Sequence, residues 1–315
     1  MVGSAHMMRR GSTREHSNTP GANWPMAEFS TFVECGGLRW HVQRMGDGPV
    51  ALLLHGTGAS THSWRDLATN LSHQYSVIMC DLPGHGFTTG AAAGRARSTM
   101  SLIGMSSLIA RLLVQLNIKP DYLVGHSAGA ALCCQLVLDN KVKPRCIVSI
   151  NGALLPFPGL AGQVFSPLAR LLAVNPMVPR LVSWQAKKTQ LANRLLNDTG
   201  SAIDAAGKAY YAELLRKPKH VAGALSMMAN WNLDPLSRQL CNLKIPLHLI
   251  VGAADRTVSP KQGREVSQQV ATSTLHQLPG LGHLAHEESP QLVAELISLL
   301  FASKSVDTDK TCDRS

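Results

Sequence analysis

The segment YLVGHSAGAALCCQLVL, residues 122–138, constrains this 315-residue chain more than any other. It reads as an apolar strand followed by an apolar helix, with only Gly125-His126-Ser127-Ala128-Gly129 between them. A chain that passes from a strand to a helix through so tight a turn brings its backbone segments close together. The neighbours of the central serine must therefore be small, as Gly125, Ala128 and Gly129 are. Such a turn holds the Ser127 hydroxyl clear of the sheet. It also places it at a helix N-terminus, where free N–H groups favour developing negative charge. The pattern predicts a nucleophilic serine, and it requires a strand with a helix packed behind it.

The rest of the chain supplies that sheet. Unbroken apolar runs at VALLLH (50–55), SVIMCD (76–81), YLVGH (122–126), CIVSIN (146–151) and LHLIVG (247–252) are too uniformly apolar for half-exposed strands, and they predict buried parallel ones. Residues 31–44 alternate around Gly36-Gly37 and predict an antiparallel hairpin at the sheet edge. Helical stretches at 99–117, 128–140, 260–270 and 290–302 alternate with the strands, so the fold class expected is α/β, a doubly wound, mostly parallel sheet. A hydrophobic content of 45% against 16% charged residues is enough for a large core. The interval 152–236 breaks the alternation with proline-punctuated helical segments and no parallel strand, which predicts an inserted helical cap between core segments 26–151 and 237–303. The polar ends, 1–25 and 304–315, are expected to be disordered tails.

A serine hydroxyl is a weak nucleophile until a base takes its proton and an acid orients that base. Asp255 follows the run LHLIVG, and His283 lies in LPGLGHLAHEESP, giving the chain order Ser, Asp, His of nucleophile-elbow enzymes. Asp255 also suits a turn or helix-cap aspartate ahead of Pro260. His286 rivals His283, but Gly280 and Gly282 give His283 the freer backbone. His55-Gly56-Thr57-Gly58 follows the strand ALLL, so the N–H groups of Thr57 and Ala128 are the expected oxyanion pair. Trp64, His126 and Leu155 are expected to contact substrate because they flank these motifs. Asp81 in DLPGHG reads as a structural turn. No phosphate-binding glycine pattern occurs, His283 and His286 at three-residue spacing without a third ligand make only a weak metal pair, and the triad chemistry calls for neither metal nor cofactor.

The formal net charge is +10, which favours anionic partners. Nucleic acid is not expected, because no dense Lys/Arg run or binding module is present. The interval 152–236 carries nine Lys/Arg against four Asp/Glu, and Trp184, Met227, Met228 and Trp231 give it apolar surface. Its segment 164–184 offers a weak membrane-surface contact, interrupted by three prolines. Seven scattered cysteines, most of them in apolar runs, suit small buried side chains in a reducing cytoplasm.

Taken together, HGTG, DLPGHG, GHSAG, Asp255 and GHLAHEESP resemble the α/β-hydrolase superfamily over residues 31–302. Within it, residues 36–67, VGHSAGAAL (124–132) and SINGALLPFPGLAG (149–162) are similar to the accessory proteins of magnesium chelatase in bacteriochlorophyll biosynthesis. The first resemblance implies the catalytic triad, and the second a role near magnesium insertion into protoporphyrin IX. Two functions therefore stay open. One is a serine hydrolase acting on an ester or related acyl bond, tetrapyrrole esters included. The other is a non-catalytic accessory protein that binds an anionic tetrapyrrole or a magnesium-chelatase subunit.

Overall fold

The structure is a computed structural model that describes residues 20–90, 96–156, 175, 177–188 and 190–303. The tails beyond residues 20–303, and residues 164–174 of the proposed membrane-contact segment, lie outside the described residues.

The alternating runs assemble into one eight-stranded sheet of order β1-β2-β4-β3-β5-β6-β7-β8. Its strands are β1 (Ser30–Cys35), β2 (Leu38–Met45), β3 (Val50–Leu54), β4 (Ser76–Cys80), β5 (Tyr122–His126), β6 (Cys146–Ile150), β7 (Leu247–Gly252) and β8 (Ser273–Leu278). β2 runs antiparallel to both β1 and β4, and all remaining pairs are parallel. The hairpin at the edge and the five unbroken apolar runs thus take the places their composition predicts.

The runs are unbroken because both faces of the sheet are covered. Successive residues point to opposite faces. Leu52, Leu54, Ile78, Leu123 and Ile147 enter one core with helices α3 (Leu102–Gln115) and α4 (Ala128–Leu138). Ala51, Leu53, Val77, Met79, Val124 and Val148 enter the other, with α1 (Arg65–Leu71) and α12 (Pro290–Ala302). Each of these Val, Leu, Ile and Met side chains, fully buried, contributes about 1.5–3 kcal/mol. The helix read at 99–117 is divided: α2 (Ala96–Thr99) stops, and α3 starts behind Ser101, whose hydroxyl accepts from Gly104 N–H at 3.1 Å. The serine competes for backbone groups there and sets a cap that apolar periodicity alone does not reveal.

Between β6 and β7 the described residues form α5 (Met177–Lys188), α6 (Leu191–Asp198), α7 (Ala205–Leu215), α8 (Pro218–Asn230) and α9 (Asp234–Gln239), with no strand among them. α10 (Pro260–Gln269) follows β7, and α11 (Ala285–Glu288) precedes α12. Buried Arg65 ties α7 to the body of the fold. It pairs with Asp204 at 2.7 Å and with Glu287 at 2.8 Å, while the Tyr211 hydroxyl donates to Glu287. No helix of the described residues is long and apolar enough to cross a membrane.

Candidate active site

Ser127 sits between β5 and α4 with φ 51° and ψ −117°. A left-handed φ on a non-glycine residue costs about 1–3 kcal/mol and persists only when its surroundings fix it. Here they do. Ser127 N–H donates to Ile150 O at 3.1 Å, and Ser127 O accepts from Ala130 and Ala153 N–H, each at 3.1 Å. The flanking glycines are required by close approach rather than by their own φ. A Cβ on Gly129 would overlap the Leu54 carbonyl, and one on Gly125 would overlap the Ala130 backbone.

The buried Asp255 carboxylate has both oxygens occupied. Oδ1 accepts from Thr257 N–H at 2.7 Å and Val258 N–H at 2.9 Å, so the turn role is real. Oδ2 accepts from His283 Nδ1 at 2.8 Å and Asn151 Nδ2 at 2.9 Å, so the same side chain also orients the histidine. Because Nδ1 carries the proton to a carboxylate, neutral His283 presents Nε2 as the free base. The loops bearing Asp255 and His283 are held together by Thr199, beyond α6. Its carbonyl accepts from Arg256 N–H at 3.2 Å and from His283 N–H at 3.3 Å.

After β3 the chain turns at Gly56–Ala59, where Ala59 N–H donates to Gly56 O at 3.2 Å and Gly58 takes φ 77°. His55 Nε2 accepts from Leu82 N–H at 2.9 Å, so its proton lies on Nδ1, which donates to Gly56 O at 2.8 Å. A Cβ on Gly56 would stand 3.0 Å from Ser127 Cβ. The missing side chain lets the turn reach the serine. Among the described residues, neither Thr57 N–H nor Ala128 N–H is used in a hydrogen bond, and Thr57 is exposed.

A family model described as alpha/beta hydrolase fold matches residues 49–290. The chain belongs to the α/β-hydrolase family. Among curated relatives of this family member is the magnesium-chelatase 30 kDa subunit of Rhodobacter capsulatus, 44% identical over 268 residues, which are 84% of this chain and 92% of that protein. Solved structures with the same fold include an alpha/beta hydrolase fold protein from Burkholderia ambifaria, with TM-score 0.73, 20% identity and coverage of 85% and 97% of the two chains. An esterase from Exiguobacterium antarcticum aligns with TM-score 0.70, 15% identity and coverage of 87% and 99%.

Three expected substrate contacts are placed differently in this α/β-hydrolase. Trp64 is 0% exposed and packs in the core with its ring tilted against His286 at 4.6 Å, so among the described residues it is a core side chain. His126 is 3% exposed, because the turn that lifts Ser127 sends its neighbour's side chain inward. There its Nε2 donates to the His283 carbonyl at 2.9 Å, which makes it a support for the histidine loop. Leu155, 8% exposed, is part of the main core. His286 is buried against His126 and Trp64, and burial, then His283 and Arg65, push its ring down to about 3. Met227 is buried as well, whereas Met228 and Trp184 are exposed.

Asp81 is fully buried and structural. Its oxygens accept from Thr61 N–H at 2.7 Å, Phe87 N–H at 2.8 Å and His41 Nδ1 at 2.8 Å, and His41 Nε2 meets Ser30 Oγ at 3.0 Å. This second Ser–His–Asp chain differs from the first. Ser30 has an extended backbone in β1 and shares its hydroxyl with Gln43 Nε2 at 3.1 Å, whereas Ser127 has the strained turn and the helix N-terminus. Sequence reasoning also missed Asn151, left-handed at φ 46°, whose Nδ2 joins Asp255 to Gly282 O at 2.8 Å. The only local signal was an asparagine directly after a strand, a residue type that tolerates positive φ.

Proposed function

We propose that the chain is a serine hydrolase acting on an ester or related acyl bond, in a process connected with magnesium insertion into a tetrapyrrole. The observation that carries this reading is the His283–Asp255 hydrogen bond of 2.8 Å, with His283 supported by the residue adjoining the strained Ser127. In this reading Ser127 Oγ attacks the acyl carbon as its proton passes to His283 Nε2, and Asp255 stabilises the imidazolium that forms. Thr57 N–H and Ala128 N–H hold the oxyanion. The carbonyl then re-forms as the leaving alkoxide takes the proton from His283, and water repeats the sequence to release the acid. Among the described residues His283 is hydrogen-bonded to Asp255 and not to the Ser127 hydroxyl, so this reading requires the Ser127–His283 contact to form with substrate in place.

A second reading has its own support in the 44% identity to a protein named as a chelatase subunit. In it the chain associates with chelatase components or holds an anionic tetrapyrrole. The net charge of +5 over residues 152–236 and exposed Trp184 and Met228 would suit a flat apolar ring bearing carboxylates.

Covalent labelling by a fluorophosphonate separates the readings. Wild type and Ser30→Ala are expected to label and Ser127→Ala not to. A folded wild type that stays unlabelled would favour the accessory reading, and labelling lost only in Ser30→Ala would move the nucleophile.

A further inference from the structure

The turn at Gly56–Ala59 is met by α8, a helix of the interval inserted between β6 and β7. His220, Gly223 and Met227 of α8 lie at i, i+3 and i+7, on one helix face. All three meet the loops around Ser127. Gly223 crosses the DLPGHG turn so closely that a Cβ on it would overlap the Gly84 carbonyl. Met227 Sδ accepts from the Thr57 hydroxyl at 3.4 Å.

His220 makes the decisive pair of contacts. Its Nδ1 lies 3.1 Å from Gly86 N–H, and its Nε2 lies 3.1 Å from Gly58 O. A backbone N–H only donates and a carbonyl only accepts, so Nδ1 is the acceptor and Nε2 carries the proton. The neutral ring thus uses both nitrogens, one on each loop. Gly58 is the residue after Thr57 and has φ 77°, a conformation with little rotational preference of its own. Gly56 O is already fixed by His55 Nδ1–H and Ala59 N–H. The His220 contact holds the Gly58 carbonyl, and with it the Gly58–Ala59 peptide whose N–H donates to Gly56 O.

We propose that His220 is a positioning residue for the oxyanion hole: by holding Gly58 O it orients the planar Gly58–Ala59 peptide, whose N–H binds Gly56 O, and so helps to set the Gly56–Thr57 peptide plane that points Thr57 N–H at the acyl oxygen on Ser127. The proposal rests on the reading of Ser127 as nucleophile. It makes the placement of α8 part of the catalytic geometry, so the helices between β6 and β7 set reactivity as well as access. Aim matters because an oxyanion donor acts only within about 2.7–3.1 Å of the developing charge.

The two ring contacts can be removed separately. In His220→Asn the side-chain oxygen can still accept from Gly86 N–H, but nothing reaches Gly58 O. In His220→Gln the terminal amide nitrogen can still donate to Gly58 O, while the Gly86 contact is lost. Each variant loses one neutral hydrogen bond, so a purely structural role would affect them alike. Second-order fluorophosphonate labelling rates, with Tm measured alongside, are expected to fall about tenfold or more in His220→Asn and to stay within about threefold of wild type in His220→Gln, given that loss of an oxyanion donor outright costs about 100- to 1,000-fold. Met227→Leu, which keeps the packing volume, reports on α8 independently, with a smaller slowing expected. Equal rates in the Asn and Gln variants, or slowing that follows Tm in both, would overturn the proposal and leave the nucleophile reading intact. An unlabelled wild type would overturn that reading and this proposal with it.

Discussion

Replacing Asn151 by alanine tests how much of the Asp255–His283 geometry depends on a side chain remote from the serine in sequence. Asn151 is 1% exposed and makes three side-chain hydrogen bonds: Nδ2 to Asp255 Oδ2 at 2.9 Å, Nδ2 to Gly282 O at 2.8 Å, and Oδ1 from Gly252 N–H at 3.0 Å. Alanine deletes all of them and admits no direct replacement. The bond to a carboxylate is worth about 1.5–3 kcal/mol, and a buried N–H or C=O left dry costs about 1–3 kcal/mol. Alanine held at a left-handed φ adds about 1 kcal/mol. A loss near 5 kcal/mol follows, a large part of the ~5–15 kcal/mol that a folded protein has in total. At about 2–4 °C per kcal/mol for a fold of this size, Tm should drop by about 10–20 °C. Asn151→Gly loses the same bonds without the backbone strain, and should recover about 1 kcal/mol of the deficit. Asn151→Asp should be the worst of the three at neutral pH, since it sets a carboxylate oxygen against Asp255 Oδ2. Urea midpoints at pH 7 measure all of them. A deficit below about 1 kcal/mol in Asn151→Ala, or an aspartate variant as stable as wild type, would refute the account of how Asp255 is held.

The buried histidines predict a steep loss of stability in acid. Burial pushes His220 down to about 4 and His286 down to about 3, so in the folded state both stay neutral where the unfolded chain, titrating near 6.5, binds protons. The stability they allow is fully present above about pH 6.5 and is lost as pH falls toward their folded values, by about 2 kcal/mol each at pH 5. His55, His62, His85 and His126 are lowered by burial and act in the same sense, whereas Glu287, raised by burial beside Arg65, acts in the opposite one. Unfolding free energies from urea titrations should fall by several kcal/mol between pH 7 and pH 5, and equal values would contradict the burial of these rings. For Gly129→Ala, the added methyl overlaps the Leu54 carbonyl. The backbone shift needed should cost about 1–3 kcal/mol and slow fluorophosphonate labelling sharply even in the folded fraction. Labelling at the wild-type rate would mean that the turn has more room than these contacts show.

The elements of this chain were legible in its sequence because their causes are local. Unbroken apolar runs mark strands covered on both faces, and Leu52 and Leu53 entering different cores is that pattern made physical. The small residues around Ser127 likewise follow from backbone crowding, while Asp255 and His283 were singled out because their order in the chain matches that of nucleophile-elbow enzymes. Other features lie in contacts that no periodicity encodes. Asn151 meets Asp255 across 104 residues, and His220 meets Gly58 across 162, so each looks unremarkable in its own segment. The same limit explains the misplaced pocket residues. Sequence puts Trp64 and His126 beside the motifs, but which way a side chain points at a turn depends on what packs beneath it. Here His283 and His286 pack there, and both side chains go inward. Sequence therefore determined the sheet and the tight turn that carries Ser127. Tertiary structure decided which groups support them, because hydrogen bonds between distant segments exist only once the core has brought those segments together.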